Sequence, residues 1–198
     1  MEITPTSRQE FANFARRYAG TSSSNRSDEY LDLLTRGSET PQMRRDMSKM
    51  SSCALFVRAL WWCFGAEHDL FCAPYKMCAP LDVITIAKQR CAYRAGPTIS
   101  ATSSPNVGDA FYIATTEGKR EHFGVITACL ETQPGKVWKY ETVEGGQGVG
   151  GAGIAKLTRT FVKNGMWAVS GDRVLVAWFD FAALALPGLR LDWCDVGG

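Results

Sequence analysis

The residue pair best suited to chemistry is Cys53 and His122. The chain has two histidines. One of them, His122, opens the apolar run His122-Phe123-Gly124-Val125-Ile126-Thr127, and Cys53 lies upstream in Ser51-Ser52-Cys53-Ala54-Leu55-Phe56-Val57. A cysteine nucleophile needs a low thiol pKa and a base within reach. A helix start at Cys53 supplies free N–H groups and a dipole that favour the thiolate. The small Ser51 and Ser52 leave its sulfur accessible, and Ser52 is a secondary site candidate. His122, at the start of a strand, would lower the thiol pKa when protonated and shuttle the proton to a leaving amine. Gly124 leaves room for close approach of a neighbouring chain. The other histidine, His68, reads as a surface residue in a loop beyond Gly65.

A third group must orient the imidazole. The next strand carries Glu141, Glu144 and then Gln147. Strand alternation puts Glu141 and Glu144 on opposite faces, so one of them at most shares a face with His122. Glu144 is preferred because it ends the strand beside a glycine-rich turn. Glu141 and Gln147 are secondary candidates. Asp109 is another, although a Gly108-Asp109 pair before a strand also reads as turn chemistry.

These side chains need a scaffold of helices followed by strands. Residues 7–19 place Phe11, Phe14, Ala15 and Tyr18 at helical spacing. A short helix is expected over 28–36. The cysteine helix runs to a C-cap at Gly65, is almost wholly apolar and should be buried. Residues 66–80 read as loop and residues 81–93 as a further helix. Strands are expected over 109–113, 122–129, 136–144, 153–162 and 173–179. Helices first and an antiparallel sheet after make an α+β fold. The glycine-rich stretch 145–153 joins two strands and is no phosphate loop, since no Gly-Lys-Ser/Thr follows.

Composition narrows the function classes. A length of 198 residues fits one domain. The 22 cationic and 20 anionic residues give a net charge of +2, too balanced for nucleic-acid binding. No apolar run approaches the ~20 residues of a membrane span. Residues 1–20 lack the pattern of a secretory signal peptide, so synthesis in the cytoplasm without general export is expected. The seven cysteines include no C-x-x-C pair, and no metal site or cofactor is expected. Cys72 and Cys78 are near enough in sequence to pair. Cys63, Cys91 and Cys129 read as buried small hydrophobes, and the six tryptophans as mostly core.

Three motifs together resemble the NlpC-type and CHAP-type cysteine peptidases and amidases of bacterial cell walls. They are Ser52-Cys53-Ala54 opening a helix, then Gly108-Asp109-Ala110-Phe111-Tyr112-Ile113 followed by His122-Phe123-Gly124-Val125-Ile126, then Thr142-Val143-Glu144-Gly145-Gly146-Gln147 with a later Gly153-Ile154 and Arg159 strand. The acidic triad residue of CHAP-type members matches Glu144. The asparagine often found after it falls near Gln147. The histidine usual in NlpC-type members is absent there.

The resemblance implies a papain-like fold, with N-terminal helices packed on an antiparallel five- to six-stranded sheet. It divides the single domain into an N-terminal helical extension, residues 1–50, and a catalytic core, residues 51–180. It also implies attack of the Cys53 thiolate on an amide of peptidoglycan, with His122 as proton carrier and Glu144 as orienting group. The bond would be a stem or cross-link peptide bond, or the one between muramic acid and L-alanine. The Cys53 N–H and a nearby donor would hold the oxyanion. By analogy, delivery falls to phage lysis or to a secretion machine, such as a type VI system that injects an effector into a rival's periplasm, with a cognate immunity protein as partner. Two other classes use or lack the same pair: a Cys-His acyltransferase or deamidase toxin acting on a protein, and a non-catalytic papain-like binding module.

Overall fold

The computed structural model describes residues 5–21, 53–67, 80–100, 103–133, 136–148, 153–164 and 166–184. The expected 28–36 helix, Ser51, Ser52, His68, Cys72, Cys78, Trp193 and the side chain of Trp62 lie outside them.

Among the described residues the α-helices are α1 (Pro5–Arg16), α2 (Cys53–Glu67), α3 (Pro80–Gln89) and the single turn α4 (Phe181–Leu184). The strands are β1 (Tyr93–Ala95), β2 (Ala110–Thr115), β3 (His122–Gln133), β4 (Val137–Gln147), β5 (Gly153–Asn164), β6 (Met166–Ser170) and β7 (Arg173–Phe179). All recorded pairings are antiparallel. The strand order is β1-β7-β2-β3-β4-β5-β6, and β6 also pairs with β7. That second pairing closes β2 to β7 into a six-stranded barrel, with β1 added alongside β7.

The closed barrel overturns the expected papain-like α+β fold of helices packed on a sheet. The described residues are mostly barrel, with four α-helices beside it. The strand that makes the difference is β6, which the sequence pattern passes over. It is five residues long, lies between Gly165 and Gly171, and bonds to β5 on one side and β7 on the other. Closure leaves no free edge at either of those strands.

Alternation then sorts side chains into two cores. One set draws on every barrel strand and fills the lumen: Phe111 and Ile113 from β2, Ile126 from β3, Trp138 and Tyr140 from β4, Phe161 from β5, Trp167 from β6, Leu175 and Trp178 from β7. Tyr112, Phe123, Val125 and Val143 point the other way and pack under the helices. α2 is apolar all round because it is covered on both sides. Phe56, Val57, Ala59 and Leu60 are fully buried between the barrel wall and the other helices.

α1 shares this core. Phe11 stacks on Phe181 with ring centroids 4.6 Å apart and meets Phe64 edge-on at 5.2 Å. Two arginines fasten the helix to the barrel. Arg8 bonds to the carboxylates of Asp109 and Asp180, and Arg16 to Glu141 and the Thr127 carbonyl. Beyond α1, the Gly20 N–H donates to the Ile154 carbonyl and the Ile154 N–H to the Thr21 carbonyl, each at 2.9 Å.

Several boundaries differ from expectation. α2 passes through Gly65 to Glu67 instead of stopping at the glycine. Pro80 starts α3 instead of breaking the chain, as its missing N–H costs nothing at a first helical position. The expected 81–93 helix ends at Gln89, and Tyr93 is drawn into β1 by pairing with Phe179. Cys63 is buried as expected, but Cys91 and Cys129 are exposed. Cys91 occupies a turn with φ of 53°, and Cys129 lies where β3 runs out of the core.

Candidate active site: a cysteine, histidine and glutamate at the barrel rim

β3 begins at His122, so this residue stands at the rim of the barrel. Ile113, its cross-strand partner on β2, and Gly124 and Ile126, further along β3, share its face, which is the lumen face. Cys53 comes from the opposite side. α2 packs outside the wall against β3 and β4, and its first residue reaches the end of β3. The thiol is hydrogen-bonded to the His122 ring and receives the backbone N–H groups of Phe123 and Ala54.

Glu144 completes the group from β4. Its carboxylate is fully buried, and its Oε2 lies 2.6 Å from His122 Nε2. That contact engages Nε2 of the ring. The path of the glutamate depends on Gly124. A Cβ at 124 would stand 2.6 Å from Glu144 Cγ and 2.7 Å from the Phe111 ring, so the side chain passes through space that any other residue would fill.

Three further groups hold the carboxylate. Arg159 on β5 donates from Nε to Oε1 at 2.8 Å and from Nη2 to Oε2 at 2.6 Å. Thr142 Oγ1 donates to Oε1 at 2.6 Å. Gln147 Nε2 lies 3.4 Å from Oε2 and 3.0 Å from His122 Nε2. The two-pronged arginine contact is the strong form of this interaction.

The charges follow from these contacts. Burial pushes the Glu144 carboxyl up, but the bonds from Arg159 and His122 outweigh it and hold the group at about 2. Burial pulls His122 down, yet the bonds to Cys53 and Glu144 raise it to about 9. Burial pushes Cys53 up, and the His122 bond and charge with the two backbone N–H groups bring it below the ordinary thiol value. Both shifts run towards a thiolate beside an imidazolium. That is the arrangement a thiol nucleophile and its proton carrier require.

Among the sequence candidates, the structure brings together Cys53, His122, Glu144 and Gln147. Glu141 faces the other way, bonded to Arg16 and Thr127, with Lys156 at 3.5 Å. Asp109 is a buried structural acid. It receives the Arg8 side chain and the backbone N–H groups of Phe181 and Asn106, and burial raises it to about 6 in spite of Arg8. Ser52 lies outside the described residues. Sequence reasoning listed neither Thr142 nor Arg159 as a site residue. Both share the lumen parity of their strands, Thr142 with Glu144 and Arg159 with the buried Phe161. A charged residue in register with a buried aromatic was the available signal.

Among the described residues, no group of three or more His, Cys, Asp or Glu side chains could hold a metal ion. No helix of the described residues is long and apolar enough to cross a membrane. No family model, no curated protein and no solved structure matches the chain.

Proposed function

We propose that the protein is a cysteine hydrolase of amide bonds, with Cys53 as nucleophile. The observation that carries this reading is the buried His122–Glu144 contact at 2.6 Å, with the Cys53 thiol hydrogen-bonded to the same ring. The Cys53 thiolate adds to an amide carbonyl. The Cys53 N–H, at the first position of α2, is suited to bind the oxyanion. His122 gives its proton to the departing amine, which leaves a thioester on Cys53. The now neutral His122 takes a proton from water as the hydroxide adds to the thioester, which releases the acid and restores the Cys53 thiolate beside the imidazolium. Glu144 keeps the ring turned and stabilises its charged form.

Peptidoglycan is the proposed substrate class. Its support is the three-motif likeness to the NlpC-type and CHAP-type wall enzymes, which resides in the site residues and not in the architecture. Action in the wall of a target bacterium, after specialised export and with an immunity protein as partner, belongs to the same proposal. The test is digestion of purified sacculi by the wild type and by Cys53→Ala, with products identified by mass. New muropeptides released by the wild type alone support the reading. Unchanged sacculi with a thiol shown to be reactive overturn the wall substrate and favour a protein-directed transferase or deamidase.

A further inference from the structure

Glu144 carries a full negative charge inside the barrel rim, two hydrogen bonds away from a second anion, the Cys53 thiolate. Two buried anions facing one imidazolium would leave the site with an excess negative charge. Such an excess would favour the protonated thiol and weaken the nucleophile. Arg159 removes it. The guanidinium engages both carboxylate oxygens and is itself mostly buried, with 17% of its side chain exposed. The site then holds two cations and two anions in alternation: Cys53, His122, Glu144, Arg159.

The charged and polar groups facing this chain can be named element by element. α2 supplies Cys53, β3 supplies His122, β4 supplies Thr142, Glu144 and Gln147, and β5 supplies Arg159. The acid nearest on β2 and the hairpin after it is Glu121, which is taken by the Tyr112 hydroxyl on the other face of the strand. Arg16, Glu141 and Lys156 form a separate group on the outer face of β4.

We propose that Arg159 is a positioning residue of the thiol chemistry, which clamps Glu144 against His122 and supplies the cation that balances the site. It acts through Glu144, and its loss changes the pH range in which the ion pair exists. Removing a cation raises the proton affinity of every neighbouring group, so the Cys53 thiol and the His122 imidazolium both move to higher pH. The inference rests on the thiol reading of Cys53; its midpoint readout is independent of the substrate, and its turnover readout is the sacculus digestion.

The test is the pH–rate profile of Cys53 alkylation by iodoacetamide, resolved from the other cysteines by peptide mass mapping. The variants are Arg159→Gln, Arg159→Lys and Arg16→Gln, with folding checked by circular dichroism. For Arg159→Gln the alkylation midpoint is expected to rise by about one pH unit, which is about ten-fold slower labelling below the midpoint. Arg159→Lys keeps the charge and is expected to stay close to the wild-type midpoint while losing turnover, because the two-pronged clamp is gone. Arg16→Gln removes a cation from the other face and leaves the midpoint unchanged. A folded Arg159→Gln with the wild-type midpoint overturns the proposal, since a purely structural ion pair would lower the melting temperature and nothing else. If Arg159→Gln does not fold, Arg159→Lys decides. A midpoint kept with turnover reduced supports the proposal, and both unchanged, or a midpoint displaced upward, overturns it. Inert sacculi beside a displaced midpoint would count against the wall substrate alone.

Discussion

Glu144 reaches His122 by crossing the backbone of Gly124, and the two side chains meet at 2.6 Å where a Cβ at 124 would collide with the glutamate stem. The bare glycine is what lets a residue of β4 orient a residue at the start of β3.

Gly124→Ala should therefore uncouple the pair. The added methyl would have to displace either Glu144 or the Phe111 ring, and misplacement by about 1 Å costs about a hundred-fold in rate. Overpacking lowers stability by about 1–3 kcal/mol. A loss of turnover at temperatures where the variant remains folded, measured against its melting curve, checks this. Wild-type turnover would show that Glu144 needs no such passage.

Glu144→Gln keeps the size of the side chain and removes its charge. His122 should then titrate well below its value of about 9, because its largest carboxylate support is gone. With two histidines in the chain, the imidazole resonances are readily assigned by NMR using His68→Ala. The stability of the wild type carries the same signature. The His122 share is fully present below its ordinary value of 6.5 and is lost as pH rises through about 9. The Glu144 share is present above 4.5 and is lost as pH falls through about 2. A His122 titration that is the same in both proteins would remove Glu144 from the site.

The location of this site was legible because its chemistry is sparse. Two histidines left one plausible partner for Cys53, and strand parity correctly separated Glu144 from Glu141. Parity works here because β4 keeps its register with β3 around Val143. The barrel was not legible. Its closure hangs on Met166–Ser170, a segment too short to show alternation and bounded by glycines. Arg159 was hidden for a related reason. An arginine in an alternating strand reads as solvent-facing until pairing with Tyr140 turns it towards the lumen side. Local pattern identifies faces, whereas which faces meet is decided by pairings distant in sequence.

Arg8→Met should separate the two roles of α1, packing and charge. It leaves Asp109 buried at 1% exposure without its counter-ion. Breaking such a pair costs about 3–5 kcal/mol. The pH dependence has a definite sign. Asp109 is raised to about 6 from 3.8, so its protonated form is favoured by the fold, and that favourable share is lost as pH rises through about 6. The stability gap between Arg8→Met and wild type, read by urea unfolding, should be large at pH above 7 and should narrow near pH 4. A gap independent of pH would contradict the role given to Asp109.

Phe11→Ala tests whether α1 belongs to the same cooperative unit as the barrel. Phe11 is fully buried between Phe64 and Phe181, so its truncation should cost about 3–5 kcal/mol. A denaturation midpoint equal to that of the wild type would mark α1 as a detachable extension.

The most direct measurement is the alkylation rate of Cys53 at neutral pH, compared with the buried Cys63 and the exposed Cys91 in the same molecule. An activated thiolate labels faster than both, and His122→Ala abolishes that advantage. If Cys53 labels no faster than Cys63, or if its rate is indifferent to His122, the cysteine is a packed residue and the hydrolase reading fails.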